Sequence, residues 1–226
     1  IKTDTDMTSI TAIEPMIPSE AGIEKSQLPL LALELERKAA MLAGKVNPVT
    51  ASVLEEHMRV INSYYSNLIE GNSTHPRDIR KAMRGDYSED PAKRDLQLES
   101  LAHINAQREL AEKPPEPILS PECFAEIHRV FYEELPESLR TVESDNGEKK
   151  IVMPGRFRQV DEEISVGRHL PPLAAEIPVF LDRYDERYRL DRLRGQKGVI
   201  AIMAAHHRFL WIHPFLDGNG RVGRLH

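Results

Sequence analysis

The sequence predicts an all-α protein, a helical bundle interrupted by one small β-hairpin. Six stretches repeat apolar residues at helical spacing, and proline and glycine punctuate their ends. A single region, Thr141 to Gly167, leaves that period for short alternating runs around turn residues. With 226 residues and 40% apolar content, the chain can bury one core or two small ones.

Residues 1–27 are rich in Thr, Asp, Ser and Pro without apolar periodicity, and read as a mobile or loosely docked N-terminal arm. Residues 28–117 form an N-terminal helical region. Its first helix, "LPLLALELERKAAMLAG", places Leu31, Leu35, Lys38 and Leu42 on one stripe and stops at Gly44. A second helix runs from about Thr50 through "SNLIEGN" to Gly71, a good terminator. A third spans Ala92 to Lys113, with Leu98, Leu101 and Ile104 about one turn apart. "KPPEP" ends it, because consecutive prolines cannot continue a helix, and marks the boundary to a core over residues 118–226.

In that core, Ser120 and Pro121 open a helix that turns Phe124, Ile127, His128 and Phe131 inward. "SDNGE" and then "FRQVDEEISVG" supply the hairpin, with Val160, Ile164 and Val166 around an acidic tip. Helical patterning resumes in "AAEIPVFLDRYDERYRLDRL". "KGVIAIMAAHHRFLWI", the most apolar stretch, reads as the central buried helix.

Bulk properties exclude several functions. Acidic side chains exceed basic ones by six, so no cationic field draws nucleic acid or an anionic membrane. The single cysteine, Cys123, has no internal disulfide partner and reads as buried and inert. With no signal-like or membrane-spanning run, a cytoplasmic protein is expected, and a homo-oligomer is compatible with all of this. The chain opens on Ile1 and stops at His226 as a helix would be starting, so a trimmed chain is expected.

Chemistry concentrates in "HPFLDGNGRVGR", His213 to Arg224. Pro214 ends the apolar helix and fixes His213 at its rim, where a neutral imidazole can take a proton from a hydroxyl. Gly218 and Gly220 around Asn219 let backbone amides approach an anion closely, as a helix start there would also favour. Arg221 and Arg224, three apart, lie side by side on a helix and can grip successive phosphoryl groups. Polyphosphate brings magnesium, and Asp217 offers it an oxygen. A zinc site from His206, His207, His213 and Asp217 is disfavoured, because adjacent helical residues point about 100° apart. His103, His128, His206 and His207 read as core-edge or surface histidines.

This stretch resembles the Fic signature HPFx(D/E)GNGRxxR at every specified position, and the likeness extends over most of the chain. The resemblance implies a Fic fold and transfer of AMP from ATP, with magnesium, to a Ser, Thr or Tyr hydroxyl of a target protein. It implies that His213, as base, acts with Asn219 and Arg221 as the catalytic residues. Gly218, Asn219, Gly220, Arg221 and Arg224 would bind the nucleotide, and Asp217 the metal. Residues 157–166, with Phe157, Val160, Ile164 and Val166, look like the family's flap, which docks an extended target segment. "SNLIEGN" resembles the inhibitory pattern (S/T)xxxE(G/N). Ser66 and Glu70 share one helical face, and Glu70 could occupy the place of the γ-phosphate on Arg224. Two alternatives stay open: a hydrolase that removes AMP at the same site, and a non-catalytic nucleotide sensor.

Overall fold

The structure is a computed structural model, and it describes residues 8–72, 74–143, 147–189 and 193–226. Ten α-helices and one two-stranded sheet follow in the order α1 (Glu20–Glu24), α2 (Leu28–Ala43), α3 (Pro48–Ile69), α4 (Pro76–Ala82), α5 (Pro91–Glu112), α6 (Pro121–Glu133), α7 (Glu137–Arg140), β1 (Thr141–Glu143), β2 (Lys149–Ile151), α8 (Ile177–Tyr188), α9 (Gly195–Ile212) and α10 (Asn219–Leu225), among the described residues. No helix among them is long and apolar enough to cross a membrane. The chain forms two compact units that do not coincide with the three sequence segments, because it passes from one to the other at Pro48, near Ile118 to Pro121, at Arg156 and at Asn219.

The first unit comprises the described residues within 1–48, 119–121 and 157–219. Here α9 packs on α8 and α2. Ile177, Phe180, Leu181, Tyr184 and Tyr188 of α8 meet Ile200, Ala201, Ala205, Phe209 and Ile212 of α9 in its core. The expected central buried helix, α9, is buried on one face alone, since Ile202 and Met203 are exposed. The apolar stripe of α2 is also reassigned. Leu31, Leu35 and Leu42 face solvent, and the small Ala32 makes the buried contact.

The described part of the arm is docked rather than loose. Ile13 and Met16 are fully buried, Arg208 donates to the Pro15 carbonyl (2.8 Å), Arg183 pairs with Glu14 (2.6 Å), and the Tyr188 hydroxyl donates to the Met16 carbonyl. These partners lie more than 160 residues away in sequence, so local pattern carries no trace of them.

The second unit comprises residues 49–118, 122–156 and 220–226. Its core gathers Val60, Ile79 and Ile104 with Tyr64 beside them, and the predicted inward face of α6, Phe124, Ile127, His128 and Phe131, is buried. Helix α4, absent from the sequence reading, is opened by His75, whose Nδ1 accepts the Arg77 N–H at 3.1 Å, and by Pro76 in its first turn.

Strands β1 and β2 pair antiparallel with Thr141 opposite Ile151 and Glu143 opposite Lys149. Their turn at Ser144, Asp145 and Asn146 lies outside the described residues, as do Leu190 to Arg192 of the helix read through "RYRLDRL". The hairpin therefore sits earlier than the "FRQVDEEISVG" segment. Between Phe157 and Val166 there is no strand, only an isolated bridge from Val166 to His169.

Candidate active site

The loop that carries the chemistry begins where α9 ends. His213 caps that helix in the left-handed region (φ 51°, ψ 60°), its N–H still reaching the Phe209 carbonyl at 3.0 Å. For a residue with a β-carbon this conformation costs on the order of 1 kcal/mol, and it is held by neighbouring contacts. The following proline accounts for it, since Pro214 disfavours continuation of the helix at His213. His213 Nδ1 lies 3.1 Å from the Leu210 carbonyl. A carbonyl only accepts, so Nδ1 carries the proton and Nε2 is left with the basic lone pair.

Burial holds the His213 imidazole below its ordinary pKa. The Leu210 hydrogen bond works against that depression, Arg158 and His169 reinforce it, and Asp217 opposes it. The imidazole is therefore neutral at pH 7.

Arg158, which the sequence reading missed, locks this corner. Its guanidinium is fully buried and donates to the His213 carbonyl (3.0 Å), the Pro172 carbonyl and the Glu163 carboxylate (2.8 Å). Its own N–H bonds the Pro214 carbonyl at 2.9 Å, and Glu163 in turn accepts from the Ala174 N–H at 2.8 Å. The flap candidates attach here. Phe157 packs against buried Phe215 with ring centroids 5.0 Å apart and the rings tilted by 34°, Ile164 is half-buried, and Val160 and Val166 are exposed.

Asn219 closes the turn. Its Oδ1 accepts the Phe215 N–H (2.9 Å) and its Nδ2 donates to the Phe215 carbonyl (2.8 Å), while Gly218 takes φ 81° between Asp217 and Asn219. The buried amide thus fixes the loop's shape through its own backbone. Asp217 is half-buried and supplies a carboxylate oxygen in the same turn.

Among the described residues no three His, Cys, Asp or Glu side chains cluster for a metal. A single carboxylate suits magnesium, which completes its shell with water and substrate phosphates rather than a protein cage.

In the second unit, α10 continues the loop from Gly220. Arg224 pairs with the Glu70 carboxylate, while its Nε donates to Ser66 Oγ at 3.0 Å and its Nη2 to the Ser66 carbonyl at 3.3 Å. Glu70 follows the last turn of α3, which stops at Gly71 (φ 87°) with the Asn72 N–H bonded to the Asn67 carbonyl (2.8 Å). Gly220 leaves room for this pair. A β-carbon there would lie 2.5 Å from Glu70 Oε1 and 3.0 Å from Arg224 Nη1.

Arg221 turns inward instead, with only 7% of the residue exposed. It pairs with Glu99, donates to the Tyr132 hydroxyl (3.3 Å) and lies over the Phe131 and Tyr132 rings at 5.4 and 5.8 Å. Glu99 also escaped the sequence reading.

The structure thus places His213, Asp217, Gly218 and Asn219 in one unit, and Ser66, Glu70, Gly220, Arg221 and Arg224 in the other, joined through the Asn219–Gly220 peptide bond. Two of the histidines read as core-edge or surface need correction. His103 and His128 are fully buried. The His128 ring stacks on Tyr132 (4.2 Å) and its Nδ1 accepts the Gly155 N–H at 2.8 Å. Cys123 is buried and its thiol is pushed up to about 11, so it is unreactive at neutral pH.

A mostly helical chain with a His-Pro-Phe turn leading into a Gly-Asn-Gly-Arg helix start is similar in sequence and fold to Fic proteins. Residues 118–226 match the Fic/DOC family model. The chain is 32% identical over 71 residues to the protein adenylyltransferase Fic of Drosophila mojavensis and 34% identical over the same length to that of Drosophila willistoni, which is 31% of this chain in each case. Those alignments span 14% of the length of these curated relatives.

The fold is similar to a Fic domain containing signaling protein from Bacteroides thetaiotaomicron, with TM-score 0.63 and 20% identity over 86% of this chain and 69% of that one. A Fic family protein from Desulfovibrio desulfuricans gives TM-score 0.60 and 16% identity over 88% and 56%.

Proposed function

We propose that this protein transfers AMP from ATP to a Ser, Thr or Tyr hydroxyl of a target protein, and that Glu70 on Arg224 holds the activity in check. The observation that carries the enzymatic reading is the tautomer of His213. Its Nδ1 proton is spent on the Leu210 carbonyl, so a basic Nε2 is available for an incoming hydroxyl. Binding phosphate alone needs no base, which disfavours the sensor.

In the proposed reaction the target hydroxyl gives its proton to His213 Nε2 as its oxygen bonds to the α-phosphorus. The bond from that phosphorus to the bridging oxygen breaks, and pyrophosphate leaves with the electron pair. Backbone amides around Gly218, Asn219 and Gly220 stabilise the developing negative charge, an effect worth about 3 to 4 kcal/mol per preorganised donor. Asp217 would hold magnesium, which neutralises phosphate charge when bound. Arg224 would take the γ-phosphate once Glu70 leaves, and Phe157 to Val166 would dock the target segment. The naming of the Drosophila relatives as protein adenylyltransferases supports this reading.

The test is incubation of the E70G variant with magnesium and either α- or γ-labelled ATP. AMP transfer predicts that protein takes up the α-label and not the γ-label. Uptake of γ-label alone would make the protein a phosphotransferase, and loss of label from previously modified protein would make it the hydrolase.

A further inference from the structure

Each arginine of α10 has a carboxylate partner from upstream in the chain, and the two pairs differ in burial. The side chains of Arg224 and Glu70 are 22% and 30% exposed, whereas those of Arg221 and Glu99 are 8% and 2% exposed. Glu99 lies on α5 and has both oxygens engaged. Oε1 accepts from Arg221, and Oε2 accepts from Asn72 Nδ2 at 3.0 Å. Asn72 is the residue that closes α3 just beyond Glu70, and Asn67 of the same helix end donates to Ser100 Oγ, next to Glu99, at 3.2 Å.

One interior carboxylate therefore ties together the arginine that opens α10 and the helix end that presents Glu70. A half-exposed pair can trade its carboxylate for water or phosphate, whereas separating a buried pair strands a charge.

We propose that Glu99 is a positioning residue: by holding Arg221 inward it fixes the first turn of α10, the helix on which Arg224 stands ready for phosphate, so that the Glu70–Arg224 pair is the one that opens when nucleotide arrives. This rests on reading the loop as a nucleotide site. Its signature is a pair of opposite effects. Removing Glu70 strengthens ATP binding because a competitor leaves, and removing the charge of Glu99 weakens it because a support leaves.

The experiment is calorimetric titration of ATP with magnesium into the parent, E70G, and E70G combined with E99Q or E99D. The expected result is that E99Q lowers the ATP affinity of E70G by tenfold or more. E99D keeps the charge, and with it the fold, while retracting the carboxylate by one methylene; it is expected to lower affinity about threefold. Should E99Q fail to fold, E99D alone decides the matter.

A rise in affinity with either variant would make Glu99 a second inhibitor and overturn the proposal. A lower melting temperature with affinity unchanged would reduce it to fold support and overturn it equally. If E70G itself binds no ATP, the nucleotide reading falls first and this inference with it. If E70G binds and the Glu99 variants bind as tightly, only this inference falls.

Discussion

Replacing Glu70 offers the most direct test of how strongly the loop is restrained. At contact distance, two unit charges near a protein surface attract by about 4 kcal/mol at an effective dielectric of about 20. Much of that is offset here, because the two side chains retain 22% and 30% of their exposure and lose rotamer freedom when paired. A net value of about 1 to 2 kcal/mol remains, between that of a surface pair and a buried one. If the γ-phosphate must displace Glu70 from Arg224, that free energy is subtracted from ATP binding in the parent. Removing it tightens ATP roughly 5- to 30-fold.

The assay is titration calorimetry with ATP and magnesium on the parent, E70Q and E70G. E70Q keeps the shape of the side chain and loses only its charge, so a gain shared by both variants assigns the effect to the carboxylate. An affinity in E70G within twofold of the parent, or weaker, would refute the reasoning that Glu70 and phosphate compete for Arg224.

Further expectations follow from the same geometry. G220A forces a β-carbon to within 2.5 Å of Glu70 Oε1, so it lowers the melting temperature of the parent more than that of E70G; equal losses would place the clash elsewhere. R158M strands the Glu163 carboxylate and frees the His213 and Pro172 carbonyls, for a loss of about 3 to 5 kcal/mol, or on the order of 10 °C in melting temperature. His103 is buried with its Nδ1 accepting from Gln107 (3.0 Å) and its Nε2 without a partner among the described residues, and burial with Arg224 and Arg221 nearby lowers its pKa to about 4. Since the folded value lies below the unfolded 6.5, its contribution is complete above pH 6.5 and is lost as pH falls through 4, about 3 kcal/mol in all. Urea midpoints of H103L should therefore fall less between pH 7 and pH 4.5 than those of the parent.

The legible parts of this protein are those where sequence pattern and burial agree. The inward face of α6 was readable because Phe124, Ile127 and Phe131 recur at helical spacing, and the end of α9 because Pro214 forbids its continuation. The family was readable because its signature is twelve residues long and contiguous. The buried face of α5 was readable only in part: Ile104 is buried as its spacing predicts, but Gln97, Glu99, Ser100 and His103 are polar, and Leu98 and Leu101 are half-buried.

Helix α2 misled in the opposite sense, with leucines on its exposed side. Glu99 carries no local signal, and Arg158 has one nearby partner, Glu163, five residues on. Their partners stand 122 residues away for Glu99, and 14 and 55 residues away for the two carbonyls that bind Arg158. Ser66 and Glu70 were readable as a pair from their spacing of four, whereas their shared partner Arg224 lies over 150 residues further on and came from the resemblance.

The central claim is that His213 is the base of a nucleotidyl transfer restrained by Glu70. The measurement that meets it most directly is single-turnover transfer of α-labelled AMP to protein, with E70G compared with E70G carrying H213A, alongside ATP binding by both. The account predicts label on protein with E70G, its loss with H213A, and ATP affinity retained in both. Equal labelling with and without the imidazole would contradict it.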